Sequence, residues 1–364
     1  MKKISILILI ALCALLLAGC DNEYKPVEST EEEARVIATL TYGESTYEVR
    51  YELYRALFLA NKEVVDGGDA SVWEGDGSEE YIARINEIIR AKVCEIYSAI
   101  HLAKALGYDA YSKDADKQIK EYIKGAVEGD DDQIGHGSYE AYLASLKDNY
   151  LNYSVATLLM RYSLSMTAIN EYYGGTEHEV FGNMQGEYTY TADDVKSYYF
   201  SGDCARVMEL YIPSGVKSKA WVEDFRAQLL TKSSELAMAT HIIANTSATE
   251  ADLIVDDEVS GIVIGKNSLD SFYYSAYLAK VFDVEAGEMS EVFELSGTEA
   301  DGYYVIYGLE KSEEHFSRCY EQIRLSYIDE VIGGKIAEVS EALNASYRLS
   351  ESYSEINHQG ISME

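Results

Sequence analysis

Residues 286–308 read AGEMSEVFELSGTEADGYYVIYG. A Gly-Glu turn leads to a short strand, then to a Gly/Thr/Glu/Asp loop, then to the apolar run Tyr303-Tyr304-Val305-Ile306-Tyr307. Short β-branched and aromatic runs divided by Gly and Asp predict a hairpin. This one closes a small α/β domain. Whether its aromatic residues pack or do chemistry depends on what precedes it.

Working back, Arg206–Ile212 alternates like a strand. Residues 218–236 read as helix, 237–244 as a second short helix, and 271–282 as a third. Ile254-Val255 and 261–264 read as strands. Thr191-Ala192-Asp193-Asp194 has the form of a capping box and sets the start of this unit, after a Gly- and His-containing linker over 174–190. Beyond Lys311 the residues Phe316, Tyr320, Ile323 and Tyr327 make one helical face, continued by Val331, Ile336, Val339 and Leu343. Gly333-Gly334 is expected to break or loosen this helix, at about 1 kcal/mol per Gly. A stripe that follows a complete α/β unit needs a place to be buried, and the N-terminal half offers one.

That half is helical. Residues 36–49 predict a hairpin around Gly43. A helix follows over 50–65 with Leu53, Leu57 and Val64 inward, then a Gly/Asp loop over 66–78 that holds Trp73. From Glu79 to Leu106, Ile82, Ile85, Ile89, Val93, Ile96, Ile100 and Ala103 follow the spacing of one helical face, ended by Gly107. Further helices are expected over 113–127 and 139–169, on either side of an acidic loop at 129–137. Asp130-Asp131-Asp132 lacks the spacing of a calcium loop, so both acidic loops read as solvated.

The N-terminus has Lys2 and Lys3, an apolar run from Ile4 to Leu17, and Leu17-Ala18-Gly19-Cys20. A basic start, an apolar core and small residues before a cut describe a secretory signal. The ending resembles a bacterial lipobox, which implies lipidation of Cys20 and a lipid-anchored protein on the extracytoplasmic face of the cell membrane. The polar residues that follow read as a flexible tether over 20–35.

The net charge is −33, and −35 once Lys2 and Lys3 are removed. Such a surface repels nucleic acid. Cys94, Cys204 and Cys319 remain after the signal and Cys20, an odd number without close spacing, so neither a disulfide framework nor a metal knot is implied. None of the six His stands four residues from another, and no metal site or cofactor motif appears. The 32 Tyr against 2 Pro stand out. Tyr offers a large amphipathic surface.

The order lipobox, helical part, α/β insert and returning helix resembles the SurA/PrsA class of extracytoplasmic foldases. Residues 36–109, with a long helix ending Ile100-His101-Leu102-Ala103-Lys104-Ala105-Leu106-Gly107-Tyr108, are similar to a SurA N-terminal chaperone domain. Residues 191–311 resemble a parvulin-type prolyl isomerase. There Phe282-Asp283-Val284-Glu285-Ala286-Gly287-Glu288-Met289-Ser290 and Gly302-Tyr303-Tyr304-Val305-Ile306 match its Gly-Glu-x-Ser segment and last strand. The resemblance implies an α+β fold: a signal at 1–19, the tether, a helical domain at 36–190, a parvulin-like domain with a four-stranded antiparallel sheet at 191–310, and a C-terminal helix at 311–364 packing on the helical domain.

The same resemblance assigns the site. The family's two pocket histidines fall on Glu209 and Tyr304. Its proline-pocket Met and Phe fall on Tyr273 and Tyr277, beside Phe282, and an acidic or Cys position falls near Val259. Tyr304 is positioned to bond Glu209 across the sheet. With both imidazoles replaced, the resemblance implies a chaperone for unfolded secreted polypeptides whose isomerase unit is weak or inactive. An active prolyl isomerase and a non-catalytic envelope-assembly lipoprotein are the alternatives.

Overall fold

The computed structural model describes residues 24–129, 135–174, 190–246, 248, 253–255, 258–268, 274–295 and 301–363. The expected signal and Cys20 lie outside them. The chain divides into two compact units. One holds the residues up to Tyr172 and those from Lys335 onward; the other holds Glu187–Gly334.

In the first unit, β1 (Val36–Tyr42) and β2 (Ser45–Arg50) form the expected hairpin, with Gly43 at a φ of +57° in its turn. β9 (Arg348–Leu349) joins from the far end of the chain and gives the order β2-β1-β9. Helices α1 (Tyr51–Asp66), α2 (Ser78–Ala105), α3 (Lys113–Glu128), α4 (Tyr139–Asp148) and α5 (Tyr153–Gly174) follow. Ser112 and Ser138 cap α3 and α4 by accepting backbone N–H bonds three residues on. Ile85, Ile89, Val93, Ile96, Ile100 and Ala103 of α2 are buried, as their spacing requires. On α1 the buried valine is Val65 rather than Val64.

Two points are corrected in this unit. Most of the 66–78 segment is exposed, as expected, but Trp73 is not. Trp73 is buried against Phe58, ring centroids 5.0 Å apart, and its indole N–H bonds Asp66 at 2.7 Å. Nor are residues 24–35 a free tether. Ser29 and Ser154 donate to the buried Glu52 carboxylate at 2.5 and 2.6 Å, and Asn152 bridges Glu52 and Glu33. Glu33 in turn pairs with Arg55 at 2.6 Å. A carboxylate buried at the start of α1 requires donors, and the N-terminal segment supplies some of them.

In the second unit, the Thr191–Asp194 capping box opens α6 (Ala192–Tyr199). β3 (Cys204–Pro213), α7 (Lys219–Leu229), α8 (Glu235–Asn245), the small ladder β4 (Ile254–Val255) with β5 (Glu258–Val259), and β6 (Ile262–Gly265) come next. Then follow α9 (Tyr274–Phe282), β7 (Phe293–Leu295), β8 (Gly302–Gly308), α10 (Glu313–Arg318) and α11 (Tyr320–Ser346). The sheet is antiparallel throughout, in the order β6-β3-β8-β7. The ten-residue β3 is central, and its period-2 alternation feeds two cores. Met208, Leu210 and Ile212 pack with Val222, Phe225 and Leu229 of α7 and Met238 and Ile242 of α8. Val207 faces the other way, with Ile264, Ile306, Tyr304, and Tyr277 and Val281 of α9.

The C-terminal helix departs from expectation in two respects. Its first half does not belong to the helical unit: Cys319 and Ile323 pack on Val195, Tyr198, Tyr199, Cys204 and Val263 of the sheet unit. It also runs unbroken through Gly333-Gly334. Gly333 is required by contact, since a Cβ there would collide with the Asn267 carbonyl oxygen, whereas Gly334 has open space.

Candidate functional site

β3 and β8 pair so that Tyr211 stands opposite Tyr304 and Glu209 opposite Ile306. Glu209 and Tyr304 are therefore diagonal neighbours on the same face of the sheet. The two positions that the resemblance assigns to imidazoles do come together.

Tyr304 is buried and its ring is enclosed. Tyr211 stacks on it at 4.8 Å and Phe293 at 5.6 Å, with interplanar angles of 28° and 17°. Tyr277 meets it edge-on at 5.7 Å. Offset stacks and edge contacts of this kind stabilise by about 0.5–1.5 kcal/mol beyond the area they bury. The aromatic residues of the closing hairpin therefore pack: Tyr304 is the centre of a four-ring cluster.

Glu209 sits beside that cluster. Burial raises its carboxyl pKa above the ordinary value, with the Tyr277 side chain acting in the opposite direction. The tyrosine that acts on the carboxyl is thus Tyr277 on α9, where the sequence pointed to Tyr304. Tyr211 donates to the Asp301 carbonyl at 3.3 Å. Its phenol is pushed up by burial and by the negative charges of Asp301 and Glu209.

Of the other expected pocket residues, Tyr277 is fully buried and Phe282 is half-buried on the same face. Tyr273 lies outside the described residues. Val259 is on the opposite face, in the core beneath α7 and α8, and takes no part. Among the described residues no group of three or more His, Cys, Asp or Glu is placed to hold a metal ion.

Sequence reasoning missed a second polar centre in this unit. His315 is buried, with Nδ1 2.8 Å from the Tyr199 hydroxyl and Nε2 2.8 Å from the Ser260 carbonyl. A carbonyl only accepts, so Nε2 carries the hydrogen and Nδ1 accepts from Tyr199. Burial, together with the neighbouring Arg206 guanidinium, depresses the imidazole to about 4, against the opposing Ser260 bond. Arg206 itself is buried and spends its N–H groups on the carbonyls of Ser260, Val259 and Glu310. The one available signal was an Arg within an apolar alternation. This centre ties β3 to the segments on either side of it.

No family model and no curated protein matches the chain. It is similar to solved structures of PrsA from Bacillus subtilis, 16% identical over 74% of this chain and 86% of that one, with a TM-score of 0.25. It is similar also to the foldase protein PrsA from Streptococcus pneumoniae, at 11% identity, 84% and 93% coverage and a TM-score of 0.27. A third is the foldase protein PrsA from Lactococcus lactis, at 14%, 90% and 99%, and 0.26.

Proposed function

We propose that this chain is a lipid-anchored extracytoplasmic foldase that holds unfolded secreted polypeptides, and that its parvulin-like unit does not turn over prolyl bonds. The observation that carries the second half is the enclosed ring of Tyr304. Rotation about a peptide bond meets a barrier of about 18–20 kcal/mol. Lowering it requires polar groups poised toward the twisted amide in a water-excluded pocket that the substrate can enter. Here the position assigned to one imidazole is filled by a ring stacked between two others, and the other holds a carboxyl whose pKa burial raises.

Support for the holding role comes from the sequence resemblance and from apolar surface on each unit. Tyr111 and Tyr150 are exposed on the helical unit, and Phe200, Val216 and Leu230 on the sheet unit. Contacts of this kind are weak singly and tolerant of client sequence. The anchor rests on the Leu-Ala-Gly-Cys motif; no helix among the described residues is long and apolar enough to cross a membrane.

Two assays on the mature chain test the proposal. Light scattering of a chemically unfolded client should fall in its presence, while a proline-peptide assay should show no rate above background. A client that aggregates equally with and without the protein overturns the holding role. Prolyl turnover that is lost in Glu209→Gln or Tyr304→Phe overturns the silent one.

A further inference from the structure

Among the described residues β7 ends the four-stranded sheet. The ribbon that leads into it prolongs that edge. Gly287 N–H bonds the Gly308 carbonyl and Gly308 N–H the Glu288 carbonyl, both at 2.9 Å, and Ser290 N–H bonds the Ile306 carbonyl at 2.8 Å. Ala286 and Met289 bridge to Gly308 and Tyr307. After a turn in which Glu288 N–H bonds the Glu285 carbonyl, residues 289–295 run beside β8, about 20 Å of chain; Arg226 of α7 takes the Met289 and Ser290 carbonyls, so the open part of the edge begins at Glu291.

Three properties meet along this edge. Glu285, Glu288, Glu291 and Glu294 recur at every third residue and all are exposed. From Asp283 to Glu310 there is no Lys, Arg or His, and Arg226 of α7 pairs with Glu291 alone among the four glutamates. Val292, Phe293 and Leu295 are half-buried and keep apolar surface open beside the acids.

An edge strand offers unpaired N–H and C=O groups to any extended chain, and natural sheets guard such edges. Strand addition draws affinity from main-chain bonds and specificity from the flanking side chains. Here those side chains are apolar and anionic, and an acidic rim steers cationic partners and rejects anionic ones. We propose that the edge Glu291–Leu295, flanked by the acidic turn before it, docks an extended, Lys- and Arg-rich segment of an unfolded polypeptide as an added strand. The proposal rests on the holding role above and names the class of client.

The test uses the mature chain and two fluorescent unstructured peptides of equal length and apolar content, one Lys-rich and one Glu-rich. Anisotropy should give the Lys-rich peptide an affinity about tenfold higher at low ionic strength, with the preference collapsing in high salt. The variant Glu285→Gln/Glu288→Gln/Glu294→Gln leaves the Glu291–Arg226 pair intact, and should bind that peptide about threefold or more weakly. N-methylation of alternate peptide nitrogens should weaken binding further, because it removes strand bonds. Equal affinities for the two peptides overturn the proposal, as does indifference to N-methylation. A triple variant that self-associates while binding peptide unchanged also overturns it, since the glutamates would then only guard the edge. Suppressed client aggregation without charge preference sinks this inference alone; no peptide binding and no suppression sink it together with the holding role.

Discussion

The Tyr277 side chain of helix α9 packs on the face of the central strand β3 that carries Glu209 and acts on its carboxyl. Burial nevertheless keeps that carboxyl above its ordinary value of 4.5. A carboxyl raised in the folded state holds its proton more tightly there than in the unfolded chain. Its contribution is therefore complete below pH 4.5 and is lost as pH rises through the folded value. Glu209→Gln should be more stable than the parent at pH 8, and the gap should close below pH 4.5. Urea melts across that range check it; a gap independent of pH would refute the assignment.

Tyr304 owes its place to its ring. Tyr304→Phe keeps the stacks on Tyr211 and Phe293 and should cost about 1 kcal/mol or less. Tyr304→Ala empties the centre of the cluster and should cost about 3–5 kcal/mol. Similar losses for both variants, in the same melts, would show that the hydroxyl rather than the ring is what matters.

His315 should govern part of the acid limb. Its imidazole titrates near 4 when folded and near 6.5 when free. Stability is full above pH 6.5 and falls as pH drops toward 4, by up to about 3 kcal/mol. His315→Gln should flatten the fall in melting temperature across that window. A variant that loses stability as steeply as the parent between pH 6.5 and 4 would remove His315 from the account.

The glycine pair on α11 should respond in opposite directions. Gly334→Ala meets open space and removes a flexible helical residue, so it should stabilise by up to about 1 kcal/mol. Gly333→Ala drives a methyl into the Asn267 carbonyl and should destabilise. Circular dichroism melts of the two single variants decide it, and shifts of the same sign would contradict the close approach.

Asn152 should hold the N-terminal segment down. Its amide reaches Glu52 at 2.7 Å and Glu33 at 3.2 Å. Asn152→Ala withdraws a donor from a buried carboxylate and should cost about 1–3 kcal/mol. Limited digestion with a glutamate-specific protease should then cut faster after Glu28. Unchanged cleavage and unchanged stability together would mean that water replaces the amide at no cost.

Periodicity made the elements legible. The α2 stripe, the β3 alternation, the Thr191–Asp194 box and the closing hairpin are local patterns, and the α+β class follows from their order. The shared face of Glu209 and Tyr304 was legible too, because strand parity fixes it once β3 and β8 pair. Properties set by a distant partner were not. Gly333 looks like a helix breaker until Asn267 is placed against it. Arg206 looks like a strand's solvent residue until three carbonyls converge on it. Residues 24–35 look like linker until Glu52 is found buried, and the partner of Glu209 depended on which helix lies over the sheet.

The pairing of β9 with β1 has a consequence for how the chain matures. Ala38 meets Leu349 and Thr39 meets Arg348, so the ladder begun by nearly the first ordered strand waits for nearly the last. Loop closure over that separation makes such a contact slow to form. Everything between Glu187 and Gly334 can condense while the ribosome is still at work. The flanking halves, by contrast, must stay unfinished until Arg348 and Leu349 have been made. A protein proposed to shelter incomplete chains thus passes through the same exposed condition itself.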